Sequence, residues 1–151
     1  MRFADGKVTA EVDDGVGLVT LNAPDDGNAM SAAMWQGLGD ALDGLERDGA
    51  VRVVVLTAVG HLAFAADAAP GTFAGPDTSA GKGDERKAYE EQASAGRERL
   101  ARFGKPVIAR IRGRCEGGGL WLALAAGLRI AAEDSSFAVP AARLGAPTAS
   151  P

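Results

Sequence analysis

The stretch CEGGGLW, Cys115 to Trp121, follows an apolar, β-branched run and opens another apolar run. Three consecutive glycines cost backbone entropy, so the main chain there is expected to meet something at close range. A strand, a glycine turn and a helix N-terminus together present free backbone N–H groups. With the helix dipole, these groups suit an anion or a developing oxyanion. A phosphate loop would need Lys and Ser/Thr after the glycines, and Leu120 and Trp121 stand there. A dinucleotide fingerprint would need G-x-G-x-x-G, a spacing that Gly113, Gly117 and Gly119 do not have. Two readings stay open: close packing of helix on strand with no ligand, or an oxyanion-type donor site.

Other reactive side chains are sparse. Cys115 is the single cysteine, which excludes an intramolecular disulfide and fits a reducing, cytoplasmic setting. It reads as a small buried residue. His61 is the single histidine and reads as a surface residue; with no clustered partners, a His/Cys metal site is not expected. Glu116 and Asp67 are acids beside or within the motifs below, Glu116 most simply solvated or structural.

The 151 residues suffice for one domain with a sizeable core. With 46% hydrophobic residues, 24% charged and a net charge of -4, the chain has an ordinary globular balance without the footprint of a nucleic-acid binder. The N-terminus lacks the apolar core of a signal peptide, and no apolar run suits a membrane span.

The elements that must position the glycines follow from periodicity. Lys7–Val12 and Val16–Leu21 read as a hairpin around Asp13–Gly15. Asn22–Asn28 is a loop. Ser31 caps a helix to about Arg47, with Met34, Leu38, Leu42 and Leu45 as its apolar stripe. Val51–Thr57 is a buried strand. Gly60–Gly83, rich in Ala, Gly, Pro, Asp and Ser, reads as a long mobile active-site loop. A charged amphipathic helix spans Asp84–Phe103. Val107–Ile111 is a strand, Gly117–Ala126 a helix and Leu128–Ala132 a strand. Strands alternating with helices make the class α/β with crossover connections. No internal repeat and no interdomain linker is visible, so residues 1–151 read as a single domain.

Three segments carry a resemblance. LNAPDDGNAM resembles the LNxPxxxNAL segment of the enoyl-CoA hydratase/isomerase, or crotonase, family. VRVVVLT followed by AFAADAA resembles its VLTGxGxAFxAGADL segment. KPVIARIRGRCEGGGLWLALAAGLRIAAEDSSFAVPAARLG resembles its KPxIAAxxGxxxGGGxELAxxCDxRIAxxxAxFxxPExxLG segment. The segments run in the family's order from about Val16 to Gly145.

The resemblance implies a ClpP/crotonase-like spiral of β-β-α units that binds acyl-CoA thioesters, with lyase or isomerase chemistry in fatty acid metabolism. No permanently bound cofactor is implied; coenzyme A belongs to the substrate. The thioester oxygen would be held by the backbone N–H groups of Ala68 and Gly118. Ala23 and Asp25 lie in the segment implied to run along the CoA nucleotide, which lacks the family's frequent basic residue. Ala66 and Ala69 would flank the thioester arm. Gly117, Trp121, Pro140 and Ala141 complete the implied substrate contacts, with Trp121 facing the pocket. The family's acid/base glutamates fall at Trp121 and Ala141, and neither side chain transfers a proton. Ala69 replaces the aspartate of AGADL, and Asp67 its glycine. Family chains continue past LG with helices that cover the acyl pocket and pack between subunits of trimers or hexamers. GAPTASP, Gly145 to Pro151, does not resemble the start of those helices, so the chain reads as C-terminally incomplete. The expected function is acyl-CoA thioester binding. The alternative is a non-catalytic or vestigial acyl-CoA-binding module, or an oligomer partner of an intact relative.

Overall fold

A computed structural model describes residues 1–66 and 80–139. The N-terminal half starts with the expected hairpin. Strands β2 (Val8–Asp13) and β3 (Val16–Leu21) pair antiparallel from Asp13↔Val16 to Val8↔Leu21. Asp14 and Gly15, at φ 41° and 81°, form a two-residue turn with both residues in the left-handed region, the geometry that fits the right-handed twist of the strands. A short β1 (Arg2–Phe3) adds antiparallel to β2.

The chain then crosses over repeatedly. Helix α1 (Ala32–Arg47) leads to β4 (Val53–Ala58), which pairs parallel to β3. Ser31 caps α1, its Oγ accepting from the Met34 N–H at 3.2 Å. Helix α2 (Ala80–Ala101) precedes β6 (Val107–Ile111), parallel to β4. Helix α3 (Gly118–Ala125) precedes β8 (Leu128–Ala131), parallel to β6. The main sheet therefore has six strands in the order β1-β2-β3-β4-β6-β8. Met34, Trp35, Leu38, Ala41, Leu42 and Leu45 form the buried face of α1, at the spacing of one helical stripe. They share one core with Val8, Ala10, Val19, Leu21, Val54 and Leu56 of the sheet.

Three further strands were not expected. β5 (Ala63–Ala65), β7 (Arg114–Glu116) and β9 (Ser136–Ala138) form a second, parallel sheet in that order. Each follows a strand of the main sheet, so the chain repeats a long strand, a short strand and, twice, a helix. The absence of a sequence repeat is thus no guide to the structure: the repeat is one of backbone geometry. Three-residue strands are too short to show an alternation that periodicity can detect.

The expected loop over Gly60–Gly83 needs correction at both ends. Ala63–Ala65 is strand β5, buried throughout, and α2 already begins at Ala80. Small residues read as loop because their local propensity is weak. Here pairing with β7 and the helix that continues into Asp84 decide otherwise. The middle of that segment lies outside the described residues.

Helices α1 and α2 are joined by charge as well as packing. Arg99 of α2 is ion-paired with Asp43 and, at 2.5 Å, with Glu46 of α1. Glu46 also accepts the Gly104 N–H at 2.8 Å. That backbone hydrogen bond and then Arg99 hold the Glu46 carboxyl below the usual carboxylate range.

Candidate functional site

The glycine stretch sits where the two sheets and α3 meet. β7 ends at Glu116, and Gly117 turns the chain with φ 50° and ψ −115°, a conformation open to glycine and strained for other residues. α3 starts at Gly118, so the N–H groups of its first turn have no acceptors within the helix. Gly119 is the close approach. A Cβ there would overlap the Ala65 carbonyl oxygen and stand 2.7 Å from the Ala65 Cβ. Gly118 is less constrained: a Cβ there would meet Trp35 Cζ2 at 3.3 Å and Met30 Cβ at 3.7 Å. Of the two open readings, close helix–strand packing accounts for Gly119. The Gly118 amide stands at the head of α3, without an acceptor inside the helix.

Asn28 gathers the remaining pieces. It is buried, at 1% exposure, and in the left-handed region at φ 54°. Its Oδ1 accepts the Ala23 N–H at 2.8 Å. Its Nδ2 donates to the carbonyls of Val59 at 3.0 Å and Ala63 at 2.9 Å. One side chain thereby fixes the loop of Ala23 against the start of β5. A second tie runs from the Ala66 N–H to the Gly27 carbonyl at 2.9 Å. Ala23, Ala66, Gly117 and Gly118 thus belong to one connected region. Asp25 stands exposed on the single 3-10 turn Pro24–Asp26 beside it. Asn28 was missed as a functional position. Its signal was an asparagine directly after glycine in a loop, a residue tolerant of left-handed backbone with donors and acceptors for four hydrogen bonds.

The loop's lack of a basic residue is a feature of sequence only. Lys7 Nζ lies 3.9 Å from Asp26, and a Cβ at Gly27 would stand 3.6 Å from an Arg114 guanidinium nitrogen. Two cations from β7 and the β2 entrance therefore border the loop. Nothing in the loop's own sequence announces them.

Trp121 projects from the first turn of α3 and is 45% exposed. It does not fill the core. The Arg97 guanidinium of α2 lies over its ring at 5.7 Å and over the Trp35 ring at 5.9 Å. Trp35 itself is buried, its Nε1 donating to the Tyr89 hydroxyl at 3.4 Å.

Cys115 is buried, and burial, reinforced by the charge of Glu116, pushes its thiol up to about 11. It is therefore a neutral thiol at physiological pH and no nucleophile. Glu116 is half-buried at the end of β7, and His61 is exposed. Asp67, Ala68, Ala69, Pro140 and Ala141 lie outside the described residues. A cavity of about 430 Å³ opens beside the ends of β4, β6 and β8, lined by residues that include Thr57, Phe64, Arg110, Arg112 and Asp134. None of the described candidate site residues lines it. Among the described residues, no helix is long and apolar enough to cross a membrane.

The fold and the glycine-headed helix define a crotonase-like α/β spiral, and comparison with known proteins agrees. The family model for enoyl-CoA hydratase/isomerase matches residues 11–150. The chain is 35% identical over 138 residues to a probable enoyl-CoA hydratase of Bacillus subtilis, covering 91% of this chain and 51% of that protein. It is 34% identical over 141 residues to the hydroxycinnamoyl-CoA hydratase-lyase of Pseudomonas fluorescens, covering 93% and 50%. An enoyl-CoA hydratase/carnithine racemase structure from Magnetospirillum magneticum superposes with a TM-score of 0.86 at 32% identity, covering 98% of this chain and 54% of that one. The chain belongs to the enoyl-CoA hydratase/isomerase family. It spans about half the length of the curated relatives it matches.

Proposed function

We propose that this chain binds acyl-CoA thioesters, with the Gly118 N–H and the Ala68 N–H donating to the thioester oxygen. The observation that carries the reading is the head of α3. Gly119 packs so tightly on Ala65 that the Gly118 amide is fixed at the helix start beside the β5 end. Preorganised main-chain donors of this kind stabilise an oxyanion without reorganising. Lys7, paired with Asp26, and Arg114 border the Ala23–Gly27 loop and offset the charges of Asp25 and Asp26 where the phosphates of the nucleotide would lie.

Hydration is a different matter. Adding water across an enoyl double bond needs groups that give and take protons, and positions 121 and 141 hold Trp and Ala. This favours binding without hydration for the chain as it stands. Titration of butyryl-CoA in a calorimeter tests the binding, and loss of the enoyl absorbance of crotonyl-CoA tests hydration. The expected result is saturable binding without turnover. Gly118→Pro removes the donor at a helix position where proline is tolerated, and it should weaken binding by about tenfold. Absence of binding by the folded chain would overturn the thioester reading. Turnover of crotonyl-CoA would overturn the claim that hydration is lost.

A further inference from the structure

Arg97 stands out among the cations of the molecule. Its guanidinium lies over two indole rings, Trp35 at 5.9 Å and Trp121 at 5.7 Å. The side chain is half-buried on α2. Two residues on, Arg99 is neutralised by Asp43 and Glu46. Arg97 has no such partner: among the described residues, no carboxylate or carbonyl accepts a hydrogen bond from it. The rings hold the cation through their π faces, and no described residue takes up its charge or its N–H donors.

The location gives that charge a purpose. Trp121 is three residues past Gly118 on α3, and the edge of Trp35 comes within 3.3 Å of the Gly118 Cβ position. Of the two rings that seat Arg97, Trp35 therefore borders Gly118, and Trp121 stands one turn further along the helix that Gly118 begins. A planar guanidinium with free donors pairs best with a carboxylate, through two parallel hydrogen bonds. The head of α3 adds its positive dipole on the same side.

We infer that Arg97, seated on Trp35 and Trp121, binds a carboxylate at the far end of the acyl chain, so that the preferred ligands are thioesters of dicarboxylic acids. The inference rests on the thioester reading above. The oxygen bound at Gly118 fixes one end of the acyl group, and Arg97 selects the other.

Calorimetric titration compares acyl-CoA pairs of equal chain length: malonyl- with propionyl-CoA, and glutaryl- with pentanoyl-CoA. In at least one pair, the carboxylated member is expected to bind about tenfold tighter, an advantage that falls as salt rises. Arg97→Gln should abolish the advantage and leave the uncharged member within about twofold of its original affinity. Arg97→Lys should keep only part of it, because an ammonium lacks the fork geometry. Circular dichroism and the melting temperature establish that each variant is folded. Equal affinity within both pairs in the unmodified chain overturns the role of Arg97 alone. So does an advantage that survives in Arg97→Gln. Failure of the folded chain to bind any of the four thioesters overturns the thioester reading itself, and this inference with it.

Discussion

Two neighbouring glycines divide the labour at the head of α3. Gly119 is there for packing, since a methyl group would overlap the Ala65 carbonyl, part of the β5 backbone that pairs with β7. The nearest atoms to a Cβ at Gly118 belong to side chains, at 3.3 Å and beyond, so that no backbone overlap arises there. Gly119→Ala is therefore expected to destabilise the fold by about 2–3 kcal/mol, with a much smaller loss for Gly118→Ala. Urea midpoints of the two variants check this, and equal losses would show that α3 does not pack as described. Both glycines look alike in the sequence. The difference lies in which of them faces backbone at overlapping distance and which faces side chains at contact distance.

At the scale of elements, α1 and α2 are held together by Arg99, Asp43 and Glu46, with the chain after α2 returning to Glu46 through the Gly104 N–H. The Glu46 carboxyl is held below its ordinary value of 4.5, first by that N–H and then by Arg99. A depressed carboxyl stabilises the fold above its unfolded pKa and loses that contribution as pH falls through the folded one. Stability measured by urea should therefore decline on acidification below about 4.5. Glu46→Gln, which can still accept from Gly104, should flatten that decline. An identical acid limb in both proteins would show that Glu46 is not the group responsible. The packing of α1 on the sheet was readable beforehand from Met34, Leu38, Leu42 and Leu45. The ion pairs were not, because no local rule joins Asp43 to a residue on the next helix.

Among the described residues, six of the exposed large hydrophobics fall between Trp121 and Val139. Trp121 and Leu124 of α3, Leu128 and Ile130 of β8, Phe137 of β9 and Val139 just beyond it are all exposed large hydrophobics. Among the described residues, β8 is an edge strand of the main sheet and β9 of the second. Clustered apolar surface of this kind marks an interaction surface or an aggregation liability, and an open edge strand adds unpaired backbone groups to it. The chain is expected to bind a hydrophobic dye while folded and to self-associate as its concentration rises. Replacing Leu128 and Ile130 together by Thr should reduce both effects without lowering the melting temperature. Dye fluorescence and sedimentation check this, and a monodisperse monomer that ignores the dye would show that this face is covered.

Local chemistry alone determined five of the main sheet's six strands, a turn within Asp13–Gly15, the Ser31 cap and the stripe of α1. Alternation, capping and helical spacing act over a few residues, so they are written in adjacent positions. The motifs at Leu21–Met30, Val51–Thr57 with Ala63–Ala69, and Lys105–Gly145 likewise carried the resemblance to the family. Tertiary structure alone decided the second sheet. Its strands exist because Ala63 pairs with Arg114, and Arg114 with Ser136, residues distant in the chain. It also decided that Asn28 ties Ala23 to Val59 and Ala63, that Arg114 borders Gly27, and that Arg97 rests on Trp35 and Trp121. CEGGGLW shows both sides: the glycines declared a close approach, and only the fold showed that Ala65 makes it at Gly119 and leaves Gly118 at the head of the helix. Contacts between distant residues leave no periodic trace, so they become visible only when the chain has closed on itself.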